Sequence, residues 1–322
     1  MKKYSIGVDI GGTNVKLGLV TPSGKVLLRR HFLTKEPRDK TAFLDALARH
    51  IHELVAEGEK RKIVVTGVGI GAPGPIDVKK GFVYFFPNIP GWKNTPLKDI
   101  LEKKLRLPVR VDNDANVMAL AEFLFGAGKG AADLIALTLG TGIGGGLVIG
   151  GKLFHGPAYS AAEIGHLIIN EKGPLCACGD RGCVEAYVGN GYFTREVKKR
   201  LNGGAKSVLM KWIRAGSELT PLLVAQAAKR GDRFSKEVWN ETGEHLGTAL
   251  AGLVNILNPQ KIILGGGIAQ NGNVLFRPVI RTIRKKAFPI AARSVKVIPA
   301  KLGVDAGLVG AAALMFMNQN PE

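Results

Sequence analysis

A short apolar run covers residues 4–8. The turn-forming stretch Asp9-Ile10-Gly11-Gly12-Thr13-Asn14 follows it, and β-branched and apolar residues resume over 15–20. Two strands joined by a tight turn are expected. Past Pro22-Ser23-Gly24 a third strand opens at Val26-Leu27-Leu28. The period then changes, because Phe43, Leu44, Leu47, Ile51 and Leu54 recur at the three-and-four spacing of an amphipathic helix over 41–57. Strand character returns over 63–70, is broken by Ala72-Pro73-Gly74-Pro75 and again by proline and glycine over 87–92, and reappears over 109–112. A helix is expected from Ala115 to about Phe125.

The next stretch echoes the first. Residues 134–139 form a strand, Gly140-Thr141-Gly142 a tight turn, and 146–149 a returning strand. Helices over 235–257, a strand over 261–264 ending in Gly265-Gly266-Gly267, and a last helix over 306–317 complete the pattern. Mixed strands and helices make the fold α/β. With 322 residues, 46% of them hydrophobic, two cores can be filled. The expected division is a smaller N-terminal domain, 1–113 joined by the C-terminal helix 304–322, and a larger domain, 114–303.

Composition excludes some classes. The uncharged run 134–151 contains seven glycines and reads as two strands and a loop, not a membrane span. Met1-Lys2-Lys3 has signal-peptide charge, but Asp9 and Gly11-Gly12 interrupt the apolar stretch behind it, so a cytoplasmic location is expected. Forty-five Lys and Arg against 26 Asp and Glu give a formal charge of +19. The basic residues are dispersed along the chain and no nucleic-acid-binding motif accompanies them, so no nucleic-acid partner is expected.

Glycines at both turns let backbone amides approach a phosphate, Thr13 adds a hydroxyl, and Asp9 can reach Mg²⁺ directly or through water; a plain hairpin is the alternative for the first turn. Gly140, Gly142 and Gly145 satisfy G-x-G-x-x-G, yet a strand follows where the dinucleotide fingerprint needs a helix. No Walker-type G-x-x-x-x-G-K-[ST] occurs. Asp114 precedes a helix, and position alone favours an N-cap. All three cysteines fall within eight residues. His166-x9-Cys176-x-Cys178-x4-Cys183 supplies one imidazole and three thiolates, a full tetrahedral set for a structural Zn²⁺ with no open position for catalysis.

Asp9-x-Gly11-Gly12-Thr13, Thr138-x-Gly140-Thr141-Gly142 and Gly265-Gly266-Gly267, in this order, resemble the two phosphate segments and the adenosine segment of the actin/hexokinase ATPase superfamily. Val111-Asp112-Asn113-Asp114-Ala115-Asn116 and the segment 163–185 narrow the resemblance to the ROK family of sugar kinases and repressors, over residues 4–316. Bacterial ATP-dependent glucokinases are the subgroup most resembled; kinases for fructose, allose, mannose and N-acetylhexosamines share most of these motifs.

The resemblance implies a two-domain actin/hexokinase-like fold with an interdomain cleft, ATP with Mg²⁺ as the phosphoryl donor, a hexose as acceptor and a homodimer or higher homo-oligomer. It assigns Asp114 as the base, Asn88, Asn113, Glu163, His166 and Glu185 to the sugar, and Asp9, Gly11, Gly12, Thr13, Asn14, Thr138, Gly140, Thr141, Gly142, Gly265, Gly266 and Gly267 to the nucleotide. The family's repressors carry an N-terminal DNA-binding domain, for which a phosphate hairpin starting at residue 4 is expected to leave no room. Two departures adjoin the sugar residues: Ala162 replaces a usual glycine before Glu163, and Gly189-Asn190 replaces the usual serine-glycine.

Overall fold

The computed structural model describes residues 4–86 and 91–317. The chain forms two compact units: Met1–Gly130 with Gly146–Ala162 and Lys301–Glu322, and Ala131–Gly145 with Glu163–Ala300.

In the first unit, β1 (Tyr4–Ile10), β2 (Asn14–Val20) and β3 (Val26–Leu33) form the expected antiparallel meander. β4 (Val65–Ala72) joins β1 in parallel. A small sheet that the sequence pattern did not reveal follows, made of β5 (Ile76–Asp77), β6 (Phe82–Phe85) and β7 (Lys93–Thr95). β8 (Val109–Asn113) then pairs in parallel with β4, giving the order β3-β2-β1-β4-β8.

Alternation along β1 sorts its two faces. Ile6, Val8 and Ile10 enter one core with Phe43, Leu44, Leu47, Ile51 and Leu54 of α1 (Lys40–Lys60) and with Leu97 and Leu101 of α2 (Leu97–Leu105). Asp39 starts α1 by accepting the Ala42 N–H at 2.9 Å. The opposite face meets the C-terminal helix Ala306–Ala313, where the buried Ser5 hydroxyl donates to the Ala312 carbonyl at 2.9 Å. Leu47 is fully buried in the first layer, so truncating it to alanine would cost about 2–5 kcal/mol.

The expected domain break between residues 113 and 114 falls inside this first unit. α3 (Asp114–Phe125) packs along the C-terminal helix through Val117, Leu120, Ala311, Ala313 and Leu314. The contact is so close that a Cβ on Gly310 would overlap the Val117 carbonyl. Polar ties reinforce it. Fully buried Glu122 accepts the Lys301 and Leu302 N–H groups at 2.9 and 2.7 Å and the Ala127 N–H at 2.8 Å. Arg110 donates to the carbonyls of Leu314 and Met317.

The second unit is built on β9 (Leu134–Leu139). After the Gly140-Thr141-Gly142 turn, β10 (Ile143–Ile149) begins three residues earlier than the apolar run suggested, its glycines taking strand conformation. It passes into the first unit and pairs there with β11 (Lys152–Leu153). β12 (Lys261–Gly265) lies parallel to β9 on one side and to β13 (Lys296–Pro299) on the other. The long helix Arg233–Leu257 packs against Asn273–Lys286. Among the described residues no helix is long and apolar enough to cross a membrane.

Candidate active site

Parallel pairing of β1, β4 and β8 aligns their carboxyl ends. Asp9 stands beside Gly71, Gly71 beside Asp112, and Ala72 beside Asn113. Such a strand edge is where α/β sheets bind ligands. Asp9 is largely buried, which pushes its carboxyl upward, while Lys16, its register partner on β2, draws it back. The C-terminal helix presses close to it: a Cβ on Gly307 would lie 2.6 Å from Asp9 Oδ2. In the adjoining hairpin the Gly11 N–H donates to the Asn14 carbonyl at 3.0 Å. Buried Thr34 braces the turn from behind, its hydroxyl donating to Gly11 O at 2.7 Å and its N–H to Thr13 O at 2.9 Å. Gly12 and Thr13 are left at an exposed tip.

The helix cap differs from the expectation. Asn113, in extended backbone, is the N-cap of α3, its Oδ1 accepting from Ala115 N at 2.9 Å and Asn116 N at 3.4 Å. Its Nδ2 donates to the Gly74 carbonyl at 3.2 Å. Asp114 is the first helical residue, half-buried, with Oδ1 also accepting from Ala115 N at 2.8 Å. The strand end and the helix start therefore fix Asn113 and Asp114 together.

In the second unit β9 and β12 bring Thr138 beside Gly265, so the second and third glycine segments share one strand edge. Gly140 donates to Gly142 O at 3.0 Å, and its own carbonyl receives the Asn190 N–H at 2.9 Å. The departure Gly189-Asn190 thus clasps the glycine turn. Gly266 has φ +83°, and a Cβ there would strike the Leu139 backbone, so the protein's own packing requires this glycine. Gly140 and Gly267 are different: a Cβ on either would meet nothing within 4 Å. Their missing side chains leave open space beside the backbone, a cradle suited to a close-lying nucleotide.

Glu185 joins this edge to the cysteine loop. Its Oε2 accepts the Ile143 N–H at 2.8 Å, directly after the glycine turn, and its Oε1 lies 3.8 Å from Cys176 Sγ. The four expected zinc ligands converge, with one ligand atom from each of His166, Cys176, Cys178 and Cys183 within 4.8 Å of the others. Cys178 Sγ is 3.6 Å from Cys183 Sγ, and Cys176 Sγ is 3.8 Å from His166 Nδ1. A tetrahedron with Zn–S bonds of about 2.3 Å has edges of about 3.8 Å, so the set fits Zn²⁺.

The cysteines are not disulfide-bonded. Burial and the neighbouring sulfurs push the Cys183 thiol up to about 12, a penalty on thiolate that a dication would reverse. Nδ1 is the ring nitrogen turned toward the sulfurs. Glu163 and His166 are exposed, and Ala162 before them sits at φ +68°, the left-handed region that the usual glycine would occupy without strain. Asn88 lies outside the described residues.

The ROK family profile matches residues 5–317. This chain belongs to the ROK family. A glucokinase of Halalkalibacterium halodurans is 36% identical over 319 residues, 99% of this chain and 96% of that protein. A xylose repressor of Caldicellulosiruptor bescii is 33% identical, covering 97% of this chain and 77% of the repressor. Among solved structures, a ROK glucokinase of Streptomyces griseus in complex with glucose and AMPPNP superposes with a TM-score of 0.79, at 38% identity over 97% of this chain and 98% of that one. The fold is accordingly the two-domain actin/hexokinase-like α/β fold of ROK proteins.

One buried polar pair beside these residues was missed by sequence reasoning. His155 Nε2 lies 2.7 Å from Asp112 Oδ2, 43 positions away, and a lone histidine before Gly156-Pro157 gave no signal of it.

Proposed function

We propose that this ROK protein is an ATP-dependent hexose kinase that phosphorylates the 6-hydroxyl of glucose. The observation that carries the reading is the carboxyl edge of β1, β4 and β8, which aligns Asp9, suited to a metal–nucleotide, with the strand end that presents Asn113 and Asp114. Near-complete coverage of a glucokinase from Halalkalibacterium halodurans supports it, as does the likeness to a glucokinase solved with glucose and a nucleotide.

In this reading Asp114 accepts the proton of the 6-hydroxyl as its oxygen attacks the γ-phosphorus, and ADP leaves in line. Glu163, His166, Glu185, Asn113 and Asn88 hold the remaining hydroxyls; ionised carboxylates suit the task because each can accept from two neighbouring hydroxyls. The segment Asp9, Gly11, Gly12, Thr13, Asn14 and the cradle of Thr138, Gly140, Thr141, Gly142, Gly265, Gly266 and Gly267 take ATP. Bound Mg²⁺ would neutralise phosphate charge. Zn²⁺ held by His166, Cys176, Cys178 and Cys183 would be structural, fixing the loop that carries Glu185. We assign the reaction to the cytoplasm and to a homodimer or larger homo-oligomer.

A panel of hexoses with ATP and Mg²⁺, read as sugar-dependent ADP release, tests this directly. Glucose is expected to give the highest kcat/KM, and no turnover with any hexose would overturn the kinase reading. A sugar-binding regulator is the second reading, favoured by 33% identity to a xylose repressor over 97% of this chain; it predicts sugar binding with no ADP formed.

A further inference from the structure

Asp112 is a buried carboxylate immediately before the residues assigned to sugar and base, and it has no part in the mechanism above. It is 1% exposed, and its hydrogen-bond partners among the described residues are the donors Asn113 N–H, Asn116 Nδ2 and His155 Nε2. Oδ1 accepts the Asn113 N–H at 2.7 Å and Asn116 Nδ2 at 2.9 Å; Oδ2 faces His155 Nε2 at 2.7 Å. A carboxylate accepts only, so Nε2 of His155 carries the hydrogen, whether the ring is neutral or charged. Burial would push the His155 imidazole down, but the hydrogen bond and negative charge of Asp112 outweigh it and hold the ring above its ordinary value.

Both ends of this pair lead to assigned site residues. On one side, Asp112 grips the backbone of Asn113 and the side chain of Asn116, while Asn113 caps the helix that begins with Asp114. On the other, His155 opens a tightly turned segment: its carbonyl receives the Ala161 N–H at 3.0 Å, and Gly156, Tyr159 and Ala162 all have positive φ. That segment ends one residue before Glu163. The left-handed region is unfavourable for residues that carry a Cβ, and Tyr159 and Ala162 both occupy it, so the segment needs an anchor to stay in this conformation.

We propose that His155, acting through Asp112, is a positioning residue for phosphoryl transfer: the Asp112–His155 pair ties the 155–162 segment to the end of β8 and so fixes the orientation of Asn113 and Asp114. The inference rests on the kinase reading for Asp114. Its effect belongs on kcat, because a base displaced by a fraction of an ångström still leaves the nucleotide segments intact.

The test compares wild type with His155→Ala and His155→Gln, since the glutamine amide can donate to Asp112 where alanine cannot. Three readouts are taken on each: kcat with KM for glucose and ATP, thermal midpoint, and hydrogen exchange of the peptide spanning 109–118. His155→Ala is expected to lower kcat by about tenfold or more with the ATP KM within about twofold, and to speed exchange at Asn113 and Asn116. His155→Gln should recover most of the kcat.

A kcat for His155→Ala within twofold of wild type, or a His155→Gln enzyme as slow as the alanine variant while its thermal midpoint matches wild type, overturns the inference. If wild type itself makes no ADP, the kinase reading has failed instead; the exchange readout then still tests the tie, and unchanged exchange in His155→Ala refutes it.

Discussion

Gly142→Ala is the perturbation whose cost can be read most directly from the site. The added Cβ would stand 2.5 Å from Glu185 Oε2, below the 3.0 Å that real Cβ contacts respect, so the carboxylate must retreat by at least 0.5 Å. That oxygen accepts the Ile143 N–H at 2.8 Å, so the shift that clears the new Cβ is expected to weaken this bond. A hydrogen bond to a charged group contributes about 1.5–3 kcal/mol, which corresponds to roughly 10- to 150-fold in an affinity that depends on Glu185. Gly140→Ala is the matched control, since its Cβ meets nothing within 4 Å of protein. Calorimetric titrations of both variants with glucose and with a non-hydrolysable ATP analogue separate the two roles. Gly142→Ala should lose glucose affinity by at least about tenfold; Gly140→Ala should keep the wild-type thermal midpoint and glucose affinity but bind nucleotide more weakly. Normal glucose affinity in Gly142→Ala would refute the role given to Glu185, and normal nucleotide affinity in Gly140→Ala would remove the cradle.

Three further expectations follow from single residues. Ala162→Gly relieves a left-handed alanine and should stabilise the protein by up to about 1 kcal/mol in thermal unfolding; a lowered midpoint would contradict the strain. Cys178→Ser should abolish stoichiometric zinc by metal analysis and weaken glucose binding, with a smaller loss of nucleotide affinity passed through the Glu185–Ile143 contact; full glucose affinity without zinc would break the link. His155 has a folded pKa raised above its ordinary 6.5, so the stability it contributes is complete below about pH 6.5 and is lost as pH rises through the raised value. The gap in thermal midpoint between wild type and His155→Gln should therefore narrow from pH 6 to pH 9, and a widening gap would contradict the sign.

Local signals are legible in the sequence. The first hairpin and α1 follow from periodicity within a few residues, and α1 extends only slightly beyond 41–57 because Asp39 caps it one residue before its start. The convergence of His166, Cys176, Cys178 and Cys183 was legible because all four lie within eighteen residues. What escaped was non-local or too short. The His155–Asp112 and Glu185–Ile143 bonds join residues 43 and 42 positions apart, and neither histidine nor glutamate announces its partner. β5 has only two residues and β7 three, below the length at which alternation is visible. Position in the sequence favours Asp114 as the cap of α3, one residue late, because Asn113 and Asp114 are both good capping types; only the extended backbone of Asn113 decides between them.

Asp114→Asn tests the central claim most directly. Asparagine preserves the shape of the side chain and removes its capacity to accept the hydroxyl proton, and a positioned general base contributes about 10² to 10⁴-fold. With glucose and ATP affinities measured by calorimetry beside the steady-state rate of ADP release, the account predicts binding close to wild type and kcat reduced by at least about a hundredfold. A variant that binds both ligands and turns over near the wild-type rate would show that Asp114 is not the base.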